Sequence, residues 1–356
     1  MKAAMPRDIE KIIAQGGVIP AIPLALNARR EFDPKRQEAL VKYYIDSGAD
    51  GIAIGVHTTQ FAIRAPEHGL FRPVLSLVSR VIDRHGAARN RRVVKVGGIC
   101  GRTDQALEEA RFLRDQGYHA GLLSLSAFPT DSIAVMTDHA RKVAEVIPII
   151  GFYLQPSVGG RVLPYEFWRS LAEIENLVAI KIAPFNRYRT LDVVRAVRDA
   201  GREKEVTLYT GNDDNILLDL LTGFGPFDGG GGEALHIRGG LLGQWSVWTG
   251  KAVELMSRVR EIRRSRGDIP RGMLTLAMEI TDANAAIFDA AHDFAGCIPG
   301  IHEILRRQGL LEGVWCLDPA ETLSPGQREE IDRVCRAYPH LTDDDFVRSH
   351  LEEWLA

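Results

Sequence analysis

The stretch PIIGFYLQPSVGGRVLPYEFWRSLAEIENLVAIKIA, residues 148–183, decides how this chain reads. It holds two short apolar runs, PIIGFYLQ (148–155) and LVAIKIA (177–183), separated by a longer charged segment. Runs that are apolar throughout, rather than alternating, suit strands of a sheet covered on both faces. A crossover of this length between two such runs suits parallel pairing.

The same unit recurs in both directions. Upstream lie GVIPAIP (17–23), DGIAIGV (50–56), RVVKVGG (92–98) and HAGLLSLS (119–126); downstream lie EVTLYTG (205–211) and EALHI (233–237). The intervening segments PKRQEALVKYYIDSG (34–48) and TDQALEEARFLRDQG (103–117) have helical periodicity. Each opens on a capping residue, Asp33 or Thr103, and closes on glycine. Eight strand–helix repeats of about 25–35 residues predict an α/β fold, a (β/α)8 TIM barrel. An open doubly wound sheet is disfavoured, because no strand runs into a G-x-G-x-x-G turn. The barrel with its lead-in is expected over residues 1–264. Residues 265–356 read as a C-terminal helical region packed on it, including GQREEIDRVCRAY (326–338) and DDDFVRSHLEEWLA (343–356). The glycine-rich GFGPFDGGGGE (223–233) reads as a turn; no Lys-Ser/Thr follows it, so it is not a P-loop.

Composition narrows the function. The 356 residues are 45% hydrophobic and 26% charged, with net charge −3. Neither half carries a strong excess of one sign, so neither nucleic acid nor an anionic membrane is expected as partner. No apolar run reaches membrane-spanning length, and no secretory core follows the N-terminus MKAAMPRDIEKIIAQGG. The four cysteines, Cys100, Cys297, Cys316 and Cys335, fit neither a zinc cluster nor a disulfide framework. A cytoplasmic protein with reduced thiols is expected.

Barrel chemistry sits where strands end and the following loops begin. The groups standing there are Pro23, His57 with Thr58 and Thr59, Lys95 with Cys100, Ser124 with Ser126, Tyr153 with Gln155, Lys181, Asn212 with Asp213 and Asp214, and His236. Lysine is scarce, nine against 35 arginines, and only Lys95 and Lys181 lie inside apolar strand runs. A buried ammonium is costly, and its pKa falls, which frees the amine as a nucleophile. If Ile180 and Ile182 face the helices, Lys181 enters the barrel. The plainer alternative is a structural salt bridge at the mouth. Lys95 is expected to be structural. Tyr153 lies on the preceding strand and either relays protons beside Lys181 or packs in the core with a satisfied hydroxyl. No H-x-H and no acid/histidine set at ligand spacing appears, which disfavours a metal-dependent barrel.

The 148–183 stretch resembles the middle of the dihydrodipicolinate synthase / N-acetylneuraminate lyase superfamily. There a tyrosine in a Y-N-x-P turn on strand 5 precedes a Schiff-base lysine on strand 6 by about 28 residues. Tyr153 and Lys181 have that spacing, and Pro156 matches the turn proline. GVIPAIP, DSGADGIAIG, YTGNDDNILLDLLTGFG and GIHEILRRQGLLEG (300–313) resemble other family elements in the same order. The resemblance implies a class I aldolase-type lyase, synthase or dehydratase. Lys181 would attack the ketone of pyruvate or another 2-oxo acid, Tyr153 would shuttle protons, and the enamine would add to an aldehyde, with no cofactor and no metal. It also implies a homo-oligomer, dimer or tetramer.

The family's carboxylate-binding G-T-T-G-E loop is replaced by Gly55-Val56-His57-Thr58-Thr59-Gln60. Gly55 is retained, and either His57 or Thr58 and Thr59 stand for the two threonines. Phe128-Pro129 replaces the strand-4 tyrosine pair. Val158 aligns with the arginine that grips the second substrate's carboxylate; Arg161, three residues later, takes that role only if its turn folds back. Gln155, Asn212 and Asp213 are the remaining substrate-binding candidates, Asn212 and Asp213 alternatively capping the next helix. These departures motivate a second reading, a barrel without catalysis that binds a small molecule.

Overall fold

The computed structural model describes residues 5–227, 233–265 and 267–356. Residues 228–232, the centre of the expected glycine-rich turn, lie outside the described residues.

Eight parallel strands form the sheet: β1 (Val18–Pro20), β2 (Gly51–Ile54), β3 (Val94–Ile99), β4 (Ala120–Leu123), β5 (Ile149–Leu154), β6 (Leu177–Ala183), β7 (Thr207–Thr210) and, after a short ribbon, β10 (Gly239–Leu242). Their order is β1-β10-β7-β6-β5-β4-β3-β2, and a parallel bridge between Ala21 and Ala53 joins the two ends. The fold is a (β/α)8 barrel. The ribbon pairs β8 (Gly223–Phe224) antiparallel with β9 (Leu235–His236).

The eighth barrel strand corrects the sequence reading. EALHI, the expected strand, supplies the ribbon instead, and GGLL forms the barrel strand. The reason is steric. A methyl group on Gly239 would lie 2.2 Å from the backbone nitrogen of Gly17 and 2.9 Å from the Tyr209 ring. Only a residue without Cβ fits there.

Contact density divides the chain into two units. One comprises the N-terminal segment to Gly17 with Val94–Leu241; the other comprises Val18–Val93 with Leu242–Ala356. The first carries α1 (Arg7–Gln15), α4 (Thr103–Asp115), α5 (Ile133–Ala144), α6 (Tyr165–Ala172), α7 (Arg187–Asp199) and α8 (Ile216–Leu221). Within it, the Tyr209 hydroxyl donates to the Ile13 carbonyl at 3.0 Å and ties β7 to α1. Thr103 is the first helical residue of α4 rather than its cap, and its hydroxyl lies 3.0 Å from His139 Nδ1.

The second unit carries α2 (Pro34–Asp46), α3 (Phe71–Ala88), α9 (Thr249–Ser265), α10 (Gly272–Ile287), α11 (Cys297–Arg307), α12 (Gln327–Ala337) and α13 (Asp344–Leu355). Asp33 caps α2 as expected, accepting from the Arg36 amide at 3.0 Å. Buried Asp343, ahead of α13, accepts from the Tyr43 hydroxyl at 2.9 Å and the Gly250 amide at 3.0 Å. Among the described residues, no helix is long and apolar enough to cross a membrane.

Candidate active site

Lys181 is the central candidate of the first unit. It stands on β6 opposite Phe152 of β5 and Tyr209 of β7 and is 7% exposed. Side chains alternate along a strand, so its neighbours face the other way. The outward face is fixed by Gly151: a methyl there would meet Leu171 and Trp168 of α6, and Ile180. Position 180 is therefore on the helix side, and Lys181 points into the barrel. On β7, a methyl on Gly211 would lie 2.7 Å from Lys181 Cε and 2.8 Å from Ala183 Cβ. The bare backbone of Gly211 is what leaves room for the lysine stem. Lys181 Nζ sits 4.5 Å from the centre of the Phe152 ring, a face that favours positive charge forming at that nitrogen.

That register corrects the expected pairing of Lys181 with Tyr153. Tyr153 pairs with Ile182, on the helix face. Its ring packs against Trp168 of α6 with centroids 5.0 Å apart. Its hydroxyl donates to the Leu163 carbonyl and accepts from the Leu163 amide, both at 3.1 Å. The phenol is fully buried, and burial raises its pKa. It is a structural tyrosine, and Phe152 occupies the place expected for it. The pairing shifts by one residue between Ile149 and Ile150, so counting along the sequence does not settle which face position 153 takes.

The other strand lysine lies on the helix side of its strand. Lys95 of β3 is buried, with its nitrogen 3.3 Å from where a Gly117 methyl would stand, at the turn before β4. Gly97, two residues on, abuts Leu113 of α4, so this side of β3 faces the helices.

Asn212 is committed to the scaffold rather than left for substrate. Its Oδ1 accepts from the Phe185 amide at 3.0 Å, and its Nδ2 donates to Asp219 at 2.9 Å and Thr190 at 3.2 Å. Buried Asp219 also accepts from Thr210 at 2.7 Å and pairs with Arg187. Through Asn212 this network holds Phe185, two residues past β6, at φ +48, a left-handed conformation a bulky residue adopts only under constraint. Asp213 is half-buried and Asp214 exposed, and the α8 cap position is Asn215.

The loop after β5 folds back tightly. A methyl on Gly160 would lie 2.0 Å from the Leu154 carbonyl, and the Gly160 amide donates to the Gln155 carbonyl at 3.0 Å. Gln155 is buried at this bend. The return swings Arg161 onto the carbonyls of Phe128 and, at 3.2 Å, Asp131. Arg102 lies over the Phe128 ring, 4.5 Å from its centre. Ser124 and Ser126 hydrogen-bond to each other at 3.0 Å. His236 lies in the ribbon, its Nδ1 3.1 Å from the Thr222 carbonyl.

The second unit holds the strand-2 loop. Gly55 turns at φ +74, and its amide donates to the Thr59 hydroxyl at 3.0 Å. That hydroxyl donates to the Ile22 carbonyl at 2.8 Å. Thr59 thus braces the loop, while buried Thr58 faces Gly243 just past β10. His57 is half-buried, its ring 6.0 Å from Phe61. Gln60, unmarked by the sequence, ends the loop at φ +69 and is 5% exposed. The importance of Phe152, Gly211 and Gln60 has no pattern in the sequence; the glycine following YT in YTGNDD was the nearest signal.

Comparison with known proteins agrees with this architecture. A 4-hydroxy-tetrahydrodipicolinate synthase of Herminiimonas arsenicoxydans is 26% identical over 211 residues, covering 58% of this chain and 67% of that one. An N-acetylneuraminate lyase of Citrobacter koseri is 23% identical over 230 residues, covering 63% and 70%. The dihydrodipicolinate synthase structure from Acinetobacter baumannii, described as complexed with pyruvate, superposes with TM-score 0.72 at 20% identity, over 90% of this chain and 98% of that one. That of Oceanobacillus iheyensis gives 0.70 at 20% identity, over 94% and 100%. The sequence profile of the Dihydrodipicolinate synthetase family matches residues 14–244, well over half of the chain, and the chain belongs to that family.

Proposed function

We propose that this protein is a Schiff-base-forming lyase or synthase of the class I aldolase type, acting on pyruvate or another 2-oxo acid, with Lys181 as nucleophile. One observation carries the reading: Lys181 is a buried lysine inside the barrel, with its stem space kept open by Gly211. The named relatives, 4-hydroxy-tetrahydrodipicolinate synthases and an N-acetylneuraminate lyase, agree with the reaction class. The neutral amine attacks the 2-oxo carbon to give a carbinolamine, whose hydroxyl takes a proton from solvent and leaves as water, giving an iminium ion. Loss of a C3 proton to solvent water then gives an enamine that adds to an aldehyde, or the reverse sequence cleaves the adduct. The Phe152 face stabilises positive charge at the nitrogen as the iminium forms.

Tyr153 has no part in this scheme. In the strand-2 loop, which Gly55 and Thr59 brace, His57 and Thr58 are the candidates to hold the acid, with Gln155 and Asp213 as the further contacts to test. The same reading expects a cytoplasmic homo-oligomer. Exchange of pyruvate methyl protons in heavy water, followed by NMR, tests the enamine directly. Exchange that depends on Lys181 supports the reading. Pyruvate bound without exchange would instead favour a binding protein.

A further inference from the structure

The C-terminal part of the second unit holds a cavity of about 230 Å3. Ligand pockets usually run to about 300–1,000 Å3, so this one has room for a small molecule only. Two helices wall it. On α9 the lining residues Lys251, Leu255 and Arg258 fall at i, i+4 and i+7, and on α10 Leu276, Ile280 and Ala283 repeat that spacing. Each helix therefore presents one stripe to the cavity. The small side chain of buried Ala283 leaves part of the space that a larger residue would fill.

Two buried tryptophans, Trp245 and Trp248, complete the apolar lining. Trp248 has a left-handed backbone at φ +54, which bulky residues avoid. Its carbonyl accepts from the Lys251 amide at 2.9 Å and the Ala252 amide at 3.2 Å, so the turn that starts α9 fixes this residue beside the cavity. Strain of this kind persists only where the surroundings over-determine it, and it clusters at sites that bind or react.

The charges around the cavity are unequally committed. Lys251 donates to both Glu254 oxygens, at 3.1 and 3.0 Å, and His340 Nε2 lies 2.9 Å from Glu279. The remaining charged lining residue, exposed Arg258, makes no ion pair among the described residues. From Thr249 to Arg258 the α9 axis rises about 14 Å. An arginine side chain, leaning back toward the helix N-terminus, spans roughly half of that. What is left matches one aromatic ring with a short chain. Indole faces and a guanidinium without an internal partner suit a flat apolar body carrying one negative charge.

We infer that this cavity is a binding site for a small aromatic monocarboxylate, its ring against Trp245 and Trp248 and its carboxylate on Arg258. The site shares no residue with the proposed imine chemistry and does not depend on it.

The test is calorimetric titration with 3-phenylpropanoate and with its neutral counterpart, 3-phenylpropanamide. The proteins are wild type, Arg258→Gln, Ala283→Leu, Leu276→Trp and Lys181→Ala. Wild type should bind the acid at one site per chain and prefer it to the amide roughly tenfold, the worth of a charge-assisted contact. Arg258→Gln should narrow that preference to under about threefold and leave amide affinity unchanged. Ala283→Leu and Leu276→Trp fill the cavity from α10, and each should weaken both ligands about tenfold or more. Lys181→Ala should bind like wild type. Urea midpoints show which filled variants fold, and Arg258→Gln, an exposed change, decides the question if neither does. Absence of binding by wild type, equal affinity for acid and amide, a preference unchanged in Arg258→Gln, or undiminished binding in a folded filled variant overturns the inference. Binding lost in Lys181→Ala would put the acid at the lysine and overturns it as well.

Discussion

Replacing Tyr153 with phenylalanine separates two accounts of the barrel. If the tyrosine relayed protons, Tyr153→Phe would cripple turnover and leave stability nearly unchanged. The structure implies the reverse. The hydroxyl bonds both the amide and the carbonyl of Leu163 at 3.1 Å, in a fully buried setting. Phenylalanine keeps the ring contact with Trp168 but strands two buried backbone groups. Each unpaired group costs about 1–3 kcal/mol. Partial relaxation of the Leu163 loop brings the expected total to about 2–4 kcal/mol. Urea unfolding at neutral pH measures this as a lower midpoint with an unchanged slope. The rate of pyruvate imine formation, read in a single turnover by borohydride quench, should stay within about threefold of wild type, under 1 kcal/mol of barrier. Unchanged stability with imine formation slowed about a hundredfold would refute the placement of this side chain.

Other perturbations probe the same core. Gly211→Ala sets a methyl 2.7 Å from Lys181 Cε and 2.8 Å from Ala183 Cβ, so one must move. It should cost about 1–3 kcal/mol by overpacking and slow imine formation, because the flexible lysine gives way first; wild-type kinetics would contradict the stem-space argument. Asp219→Ala leaves Asn212, Thr210 and Arg187 without their shared acceptor, and should destabilise the protein by about 3 kcal/mol or more in urea unfolding. Acid should destabilise the fold through two histidines. Burial, with Arg102 nearby, holds His139 down at about 4, and burial alone takes His302 to about 4, against about 6.5 in the unfolded chain. Between those values the unfolded chain binds more protons. Their contribution is therefore complete above about pH 6.5 and lost as pH falls toward 4, amounting to about 2 kcal/mol each at pH 5. Urea midpoints at pH 7.5 and pH 5 should differ less in His139→Gln than in wild type.

Much of the fold is written locally. LVAIKIA occupies β6 end to end, and Asp33 caps α2, because apolar runs and caps act within a few residues. What failed depends on contacts between distant segments. GGLL has weak strand propensity, yet it forms the eighth strand because the Gly17 backbone and Tyr209 leave no space for a side chain. Lys181 was legible because a lysine among isoleucines is costly wherever it points. Tyr153 was misread because spacing along the chain does not fix a face once register slips at Ile149. Asn212 looked like a substrate contact, and only its three partners show that it holds Phe185 in place. Gln60 was invisible, since its left-handed turn and its bond to a residue 257 positions away leave no local mark.

Every chemical step proposed for this protein depends on Lys181 as the nucleophile. Borohydride reduction of the protein with pyruvate, followed by intact mass and peptide mapping, tests it most directly, with Lys181→Ala as control. One reduced pyruvyl adduct per chain is expected, mapped to the peptide containing Lys181 and missing from the variant. An adduct on another lysine, or none with pyruvate and a panel of larger 2-oxo acids, would contradict it.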